Sequence, residues 1–369
     1  MEERKFGEGI DTSETFNKFL HTEKVRKLAT IKQIKWIRPI ENADKIELVG
    51  IGGWQVVVNK DENYKVGDIV IYCEVDSFLP IKPEFEFLRK NCYKKMPDGT
   101  EGFRLKTIKL KGIYSQGLIL PISILNRSVN ENNIGEDLSL ELNITKYEPP
   151  IPTQLAGKVK GNFPSFLQKT DEERIQNLGW VLNEYQNEPF YVTEKLDGTS
   201  FTAYYNNGEF GICSRNLNLF ETEDNVHWRV ARKLKLEEKL REYGNNVALQ
   251  GELIGEGINK NRYKLKGQDV YFFNIFNIDT FDYFNYKMFS NRLFEMGLKS
   301  VPVVSPAEGY FLPSTMEELL EYSQGKSQLN PQQEREGIVL RPFENIVHPK
   351  YGRISFKVIS NKYLLKYEE

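Results

Sequence analysis

The spacing of apolar and polar positions changes character partway along the chain. Over residues 30 to 122, short β-branched and aromatic runs (TIKQIKWIRPI, KIELVGI, WQVVVNK, DIVIYCEV, FRLKTIKL, GLILPI) alternate with turn signals such as ENAD, GG and KDENYKVG. Strands at this close spacing predict a small closed barrel. In RLKTIKLK the polar positions are Arg104 and Lys106, then Lys109 and Lys111. The alternation slips phase at Thr107 and predicts a β-bulge there. Around Pro149, Pro150, Pro152 and Pro164 no period survives. Proline fixes φ and removes a donor, so residues 147–165 read as an extended linker between a barrel domain, 1–146, and a second domain, 166–369.

The second domain mixes the two periods. Thr170 and Glu173 form a T-x-x-E capping box ahead of an expected helix, DEERIQNLGWVLNEY. Further helices are expected at VHWRVARKLKLEEKLREY, MFSNRLFEMGL and TMEELLEYSQ, and strands at FYVTEKL, SFTAYY, GEFGICSR, VALQGELI, DVYFFNIFNI, GIVLRP and RISFKVI. The class is α+β, antiparallel strands with helices packed outside.

Charge narrows the function classes. Fifty Lys+Arg against 52 Asp+Glu give a net charge of -2 over 369 residues, so no global basic field exists and a polyanion must be held by local patches. One candidate runs from Arg89 to Lys111, eight basic residues and two acidic ones interleaved with Tyr93 and Phe103. It is either an ordinary solvated loop or a patch that tracks phosphates. Three cysteines without metal-type spacing argue against a disulfide framework or a cysteine-built zinc site, and three separated histidines argue against a histidine triad. With no long apolar run and no apolar segment in MEERKFGEGIDTSE, neither a membrane span nor a signal peptide is expected, and the location expected is intracellular, cytoplasmic or nuclear. Chemistry has to come from Lys, Arg, Asp and Glu.

The segment EKLDGTSF places Lys195, Asp197 and Gly198 just after a strand. Taken alone, Asp-Gly is a hairpin turn with positive φ at Gly198. What raises it is the company that follows in order: Arg215 in SRN, Glu252 in LQGELIG, the aromatic strand YFFNIFNI, Glu336 in EREGIVLRP and Lys357 in SFKVISNK. Each has a bland alternative, from surface charge to core aromatic. Jointly they are the parts that nucleotidyl transfer to a lysine requires. Such a lysine attacks the α-phosphate as a neutral amine, so its pKa has to fall from about 10.4 towards 7 or 8 through burial and neighbouring positive charge. Lys357 and a metal could supply that charge. Glu252 and Glu336 could hold ribose hydroxyls or metal-bound waters, and a flat aromatic could stack on the base.

This order of motifs resembles the covalent nucleotidyltransferase superfamily of polynucleotide ligases and capping enzymes. Within it, the chain is similar to the ATP-dependent nick-sealing RNA ligases with an amino-terminal OB domain, the RNA ligase 5 family. RPIENADKIELVGIGGWQVVV through EVDSFLP looks like the OB domain, and FPSFLQKTDEERIQNL through SFKVISNKYLL like the transferase. The resemblance implies an OB-type barrel followed by an antiparallel nucleotidyltransferase domain. It makes Lys195 the adenylylated nucleophile, Glu336 and Lys357 its catalytic companions, and Arg174 on the capped helix a phosphate contact. Glu194 is implied near the adenine, Arg215 at the nucleotide or 5′-phosphate, Glu252 at the ribose, and Phe276 or Phe273 stacked on the base. Asp197, Glu252 and Glu336 are the implied metal carboxylates, with ATP and Mg²⁺ or Mn²⁺ as cofactors. Two departures stand out: the commoner K-x-K is Ser355, Phe356, Lys357 here, leaving the second lysine missing or replaced by Lys362, and Ser200 stands where bacteriophage-type RNA ligases place Asn.

Only twelve residues follow Lys357, too few for the carboxy-terminal OB domain of DNA ligases and capping enzymes. The resemblance therefore implies a monomer that seals 3′-OH/5′-phosphate breaks in nicked duplex RNA or an RNA/DNA hybrid through lysyl-AMP, with RNA on the 3′-OH side. The alternatives are a non-catalytic OB-type RNA-binding protein and a capping-type guanylyltransferase.

Overall fold

Residue alternation closes the first set of strands around an apolar interior. Ala29–Gln33 pairs antiparallel with Ile69–Cys73, which pairs with Leu118–Pro121, while Trp36–Pro39, Ile46–Ile51 and Trp54–Asn59 form a meander. Ile31, Ile71, Leu79, Phe85 and Phe103 fill one part of the interior, and Val49, Ile51, Trp54, Val70 and Tyr72 the other. This is the expected OB-type barrel. The computed structural model describes residues 26–96, 98–148, 158–244 and 246–367; the amino-terminal stretch read for a leader and the proline-rich heart of the expected linker, 149–157, lie outside them. Among the described residues no helix is long and apolar enough to cross a membrane.

The phase slip at Thr107 marks a change of partner, not a bulge. Glu101–Arg104 pairs with Ser77–Pro80 and Tyr93–Lys95, whereas Thr107–Leu110 forms a separate hairpin with Ile113–Gln116. Leu105, between them, turns into the core. The hairpin reverses over Lys111 and Gly112, both at positive φ (47° and 84°), as a turn matched to strand twist demands.

Two sheets make up the second domain. Seven strands lie in the order Val159–Asn162, Leu217–Leu219, Glu209–Cys213, Thr199–Asn206, Val247–Gly255, Gln268–Asn277, Asp282–Tyr283, and four in the order Glu173–Arg174, Phe356–Ile359, Gly337–Pro342, Phe190–Lys195. Phe201, Ala203, Leu249 and Phe272 from one face of the larger sheet pack on Trp228, Leu236, Leu240, Phe289 and Leu293 from helices. From the smaller sheet, Val192, Ile338, Phe356 and Val358 pack on Ile175, Val181 and Leu319. Because strand residues alternate between faces, the remaining faces are free to carry polar side chains.

Two expected helices differ. The capping box at Thr170 does not form: Glu173 accepts from its neighbour's backbone at Arg174 and from Asn177 instead. Glu173–Arg174 is a strand paired parallel with Phe356–Lys357, a 3₁₀ turn follows at Ile175–Asn177, and helix is confined to Val181–Glu184. Arg174 thus sits on a strand, not a helix, because the tertiary pairing outweighs a local signal worth about 1 kcal/mol. A true capping box closes at Thr315 and Glu318. The stretch 226–243 is two helices, Val226–Lys233 and Leu236–Tyr243, broken where Lys235 turns left-handed.

His227 lies parallel to Phe201, ring centroids 5.8 Å apart, with Nε2 at 3.2 Å from the Ser200 carbonyl. Burial pulls its pKa down to about 4 from 6.5. The unfolded chain therefore takes up a proton that the folded chain refuses, so this contribution to stability is present above about pH 6.5 and is lost as pH falls through about 4, on the order of 3 kcal/mol. His227→Gln, which keeps a donor for Ser200, should flatten the decline of urea-unfolding stability across that window. An unchanged slope would place the acid sensitivity elsewhere.

Candidate active site

Register brings the cations together. Thr193 lies opposite Val339, and Val339 opposite Lys357; Arg174 is the parallel partner of Lys357. Residues opposite one another, and alternate residues along one strand, share a face. Lys195, Lys357 and Arg174 therefore project from the same face of the smaller sheet. At Gly337 the strands approach so closely that a Cβ would lie 2.2 Å from the Val358 carbonyl oxygen. Glu336, next to this bare backbone, sets both carboxylate oxygens 2.7 Å from Lys195 Nζ.

The hairpin that Asp197-Gly198 would make taken alone does not form. The Lys195 strand pairs with Gly337–Pro342, and the next strand, Thr199–Asn206, pairs with Val247–Gly255 in the other sheet, so the segment between crosses from sheet to sheet. Gly198 has no left-handed φ; its need is steric, since a Cβ would sit 2.4 Å from the Leu253 carbonyl oxygen. The close approach lets Gly198 N–H donate to Glu252 Oε1 at 3.1 Å, which draws Glu252 to the nucleophile's end of the cleft.

Charge in the cleft is unevenly balanced. Burial pulls the Lys195 pKa down, but Glu336, Glu252 and Asp197 outweigh it and hold the ammonium above its usual value. This differs from the neutral amine expected above, because carboxylates and not cations are its nearest neighbours here. The same burial, partly offset by Lys195 and reinforced by Glu336, pushes Glu252 up to about 8. Glu336 is raised as well, by burial against the opposing pull of Lys195. Lys357 is lowered to about 8, by burial with help from Arg174 and Lys195 and against Asp171.

Comparison with known proteins decides the family. An RNA ligase family model matches residues 188–359 and an OB-fold domain model residues 28–122. The solved structure of an aspartate-to-alanine variant of Naegleria gruberi RNA ligase is 40% identical, covering 93% of this chain and 99% of that one, with a TM-score of 0.85. The chain belongs to the RNA ligase 5 family. Structures of the Naegleria ligase with PPi (40% identity, 93% and 99% coverage, TM-score 0.84) and of a lysine-to-alanine variant with ATP and Mn (39%, 93% and 99%, 0.83) match as well. No curated protein sequence matches it.

Several residues of this RNA ligase site were not visible in its sequence. Asp197 is held by Asn259 at 2.7 Å, by Arg262 Nε and by the Tyr363 hydroxyl. Asn259, Lys260 and Asn261 all have positive φ, and an Asn-rich run tolerant of that conformation was the available signal. Lys362, considered as a replacement lysine, is exposed on the helix Asn361–Tyr367, while its neighbour Tyr363 is buried. Arg215 donates to both oxygens of Asp171 at 2.8 and 2.9 Å, and the barrel's Lys146 reaches the same carboxylate at 3.0 Å.

The two phenylalanines differ in burial and in their distance along the strand from Glu252. Phe276 is fully buried among Leu167, Tyr204 and Tyr283, with no surface for a base. A register shift between Gln250 and Gly251 lies opposite Phe273, which is half-buried beside Leu196 and Tyr263. Glu252 pairs with Tyr271, two residues from Phe273, while Phe276 pairs with Ala248 further along the same face, so of the two phenylalanines Phe273 is the one beside Glu252. The pleat turns the Glu194 side chain to the face opposite Lys195, where Oε2 accepts Gln328 N–H at 2.8 Å. The Glu194 side chain thus faces away from Lys195, and what the residue offers the Lys195 face is backbone.

Gly198→Ala should destabilise the ligase by about 1 to 3 kcal/mol, the usual cost of forced overpacking. Gly179→Ala, where a Cβ meets nothing within 4 Å, should stay within about 0.5 kcal/mol. Urea unfolding of both full-length variants makes the comparison, and equal effects would contradict the steric account of Gly198.

Proposed function

We propose that this ligase uses ATP to seal 3′-OH/5′-phosphate breaks in duplex nucleic acid through a lysyl-AMP intermediate, with RNA required on the 3′-OH side. Lys195 Nζ, once it gives up a proton, forms a bond to the α-phosphorus of ATP as the bond to the leaving pyrophosphate breaks. AMP then passes to the 5′-phosphate, and the 3′-OH displaces AMP to form the phosphodiester. The observation that carries this reading is Lys195 clamped at 2.7 Å by Glu336, on the same face as Lys357 and Arg174. Arg174 Nε and Nη1 are buried without a partner, a donor set suited to phosphate oxygens. Phe273 is the residue assigned to the base, Glu252 to the ribose and Arg215 to the nucleotide or 5′-phosphate.

The Naegleria ligase has been solved with AMP and Mn and with ATP and Mn, and a divalent cation suits this site also. Three carboxylates crowd one lysine, and Glu252 is pushed up to about 8, an imbalance that a dication relieves. Asp197, Glu252 and Glu336 would hold Mg²⁺ or Mn²⁺ through its waters. Among the described residues no three acidic, histidine or cysteine side chains are close enough for direct ligation, and Mg²⁺ keeps several waters in any case. The chemistry such an ion supplies is charge neutralisation on the phosphates. This chain's own residues orient the reacting groups and hold the lysine in place.

The substrate we assign is nicked duplex RNA or an RNA/DNA hybrid, bound by a monomer. The barrel's basic hairpin supports it: Lys109 lies 5.6 Å from the Tyr114 ring, and Lys109 and Lys111 are exposed. Phosphates position either strand by charge alone, whereas the 2′-OH and A-form geometry set the approach of the attacking 3′-oxygen.

Lys195→Ala should abolish covalent labelling by α-labelled ATP while joining of a pre-adenylylated nick persists. An adduct surviving the substitution would show another nucleophile, labelling by GTP instead would indicate a guanylyltransferase, and no adduct with the parent protein would indicate a binding module. Four nicked duplexes differing only in the sugars flanking the break test polarity. RNA 3′-OH ends should be sealed to either RNA or DNA, and all-DNA nicks should stall with an AMP-capped 5′ end. Efficient sealing of the all-DNA nick would contradict the assignment.

A further inference from the structure

Asp76 belongs to the barrel, yet its carboxylate crosses the domain boundary. It accepts Arg174 Nη2 at 3.2 Å and lies 3.6 Å from Arg104 and 3.9 Å from Arg26. Its backbone is left-handed, φ 67°, a conformation that Asp and Asn adopt more readily than most residues. It is pinned on both sides: its N–H donates to the Leu105 carbonyl and its carbonyl accepts from Tyr147 N–H. Burial would raise its pKa, but Arg174, Arg26, Arg104 and Lys357 together hold it below the ordinary value. One carboxylate therefore serves several converging cations drawn from two domains.

Arg174 is held almost entirely by the barrel. Its side chain is 6% exposed, and its guanidinium lies 5.8 Å from the ring of the barrel's Trp54. Trp54 is itself tied to the second domain by Nε1 donating to Asn177 Oδ1 at 2.7 Å. Asp76 takes Nη2 and leaves Nε and Nη1 buried without partners. Arg26 has a nearer partner in Glu74, at 2.9 Å, and Lys357 has Asp171; without Asp76 it is Arg174 and Arg104 that lose the carboxylate between them, and Arg174 is no longer held beside Lys357, its strand partner.

We propose that Asp76 is a positioning residue for the nucleotide site, holding the Arg174 guanidinium so that its free N–H groups meet the phosphates of the ATP that Lys195 attacks. The barrel is then a working part of the first chemical step as well as a surface for nucleic acid. This rests on the reading of Lys195 and Arg174 given above. A displacement of about 1 Å in a positioned group costs on the order of 100-fold in rate, so a lost anchor is measurable.

The test uses full-length protein and the rate of lysyl-AMP formation as a function of ATP concentration. Asp76→Asn keeps the left-handed backbone and removes the charge; the ATP concentration for half-maximal rate should rise about tenfold or more. Arg174→Ala sets the reference loss. Combined with it, Asp76→Asn should add little, because a residue acting through another has nothing left to position. Joining of a pre-adenylylated nick, which needs no ATP, should fall far less than adenylylation, and the urea midpoint reports folding independently. Additive losses in the double variant, or equal losses in both reactions, would overturn the proposal in favour of a docking role. If Arg174→Ala leaves the ATP dependence unchanged while Lys195→Ala abolishes the adduct, the positioning proposal falls and the lysyl-AMP reading stands. An adduct that survives Lys195→Ala overturns both.

Discussion

The ion pair between Lys195 and Glu336 depends on how closely two strands approach. Glycine at 337 lets the backbone of its strand come against Val358, and that contact sets the position of the residue before it. With both oxygens at 2.7 Å, Glu336 anchors the end of the Lys195 strand, and the crossing segment then carries Asp197 and Gly198 to the second sheet. There the second close approach, at Gly198, hands a backbone donor to Glu252. A buried ion pair of this kind is weak evidence of stability, since desolvation offsets much of the attraction. Its worth here is placement: the ammonium is held at a fixed point among Glu336, Glu252 and Asp197.

Much of this was legible before any coordinates. Lys195 ends a strand, Glu336 precedes one, and Glu252 and Lys357 lie within strands whose β-branched and aromatic runs are plain in the sequence, and their order carried the family. Where the reading failed, a local signal met a tertiary one. The T-x-x-E pattern at Thr170 is a fair helix start, but its segment is drawn into a strand by Phe356–Lys357, far away in sequence. Period two would put Phe273 and Phe276 on opposite faces, but the register shift opposite Phe273 brings both to one. Asp-Gly looked like a turn because nothing local reveals that its flanking strands belong to different sheets. Asp76, Asn259 and Tyr363 have meaning only through contacts made across the fold.

The two domains meet through small, specific contacts. Besides the contacts of Trp54 and Asp76, a Cβ at Gly53 would lie 2.7 Å from the Gln176 Cα, and Gln116 Nε2 donates to Asn361 Oδ1 at 3.2 Å. Three of these contacts fall on residues 174–177, the very segment whose first member enters the cation row. Packing that seats the barrel and packing that orders the cleft are therefore the same packing, and disturbance at one is felt at the other.

The two-residue parallel pairing of Glu173–Arg174 with Phe356–Lys357 has a consequence for how the protein is made. It closes a loop of about 180 residues, a non-local contact whose entropy has to be met before it gives anything back. During synthesis the barrel and all seven strands of the larger sheet emerge first, while Arg174 waits without its strand partner until residue 357 has left the ribosome. A nascent chain thus lacks the lysine and the pairing that complete its cation row until its last strand is made.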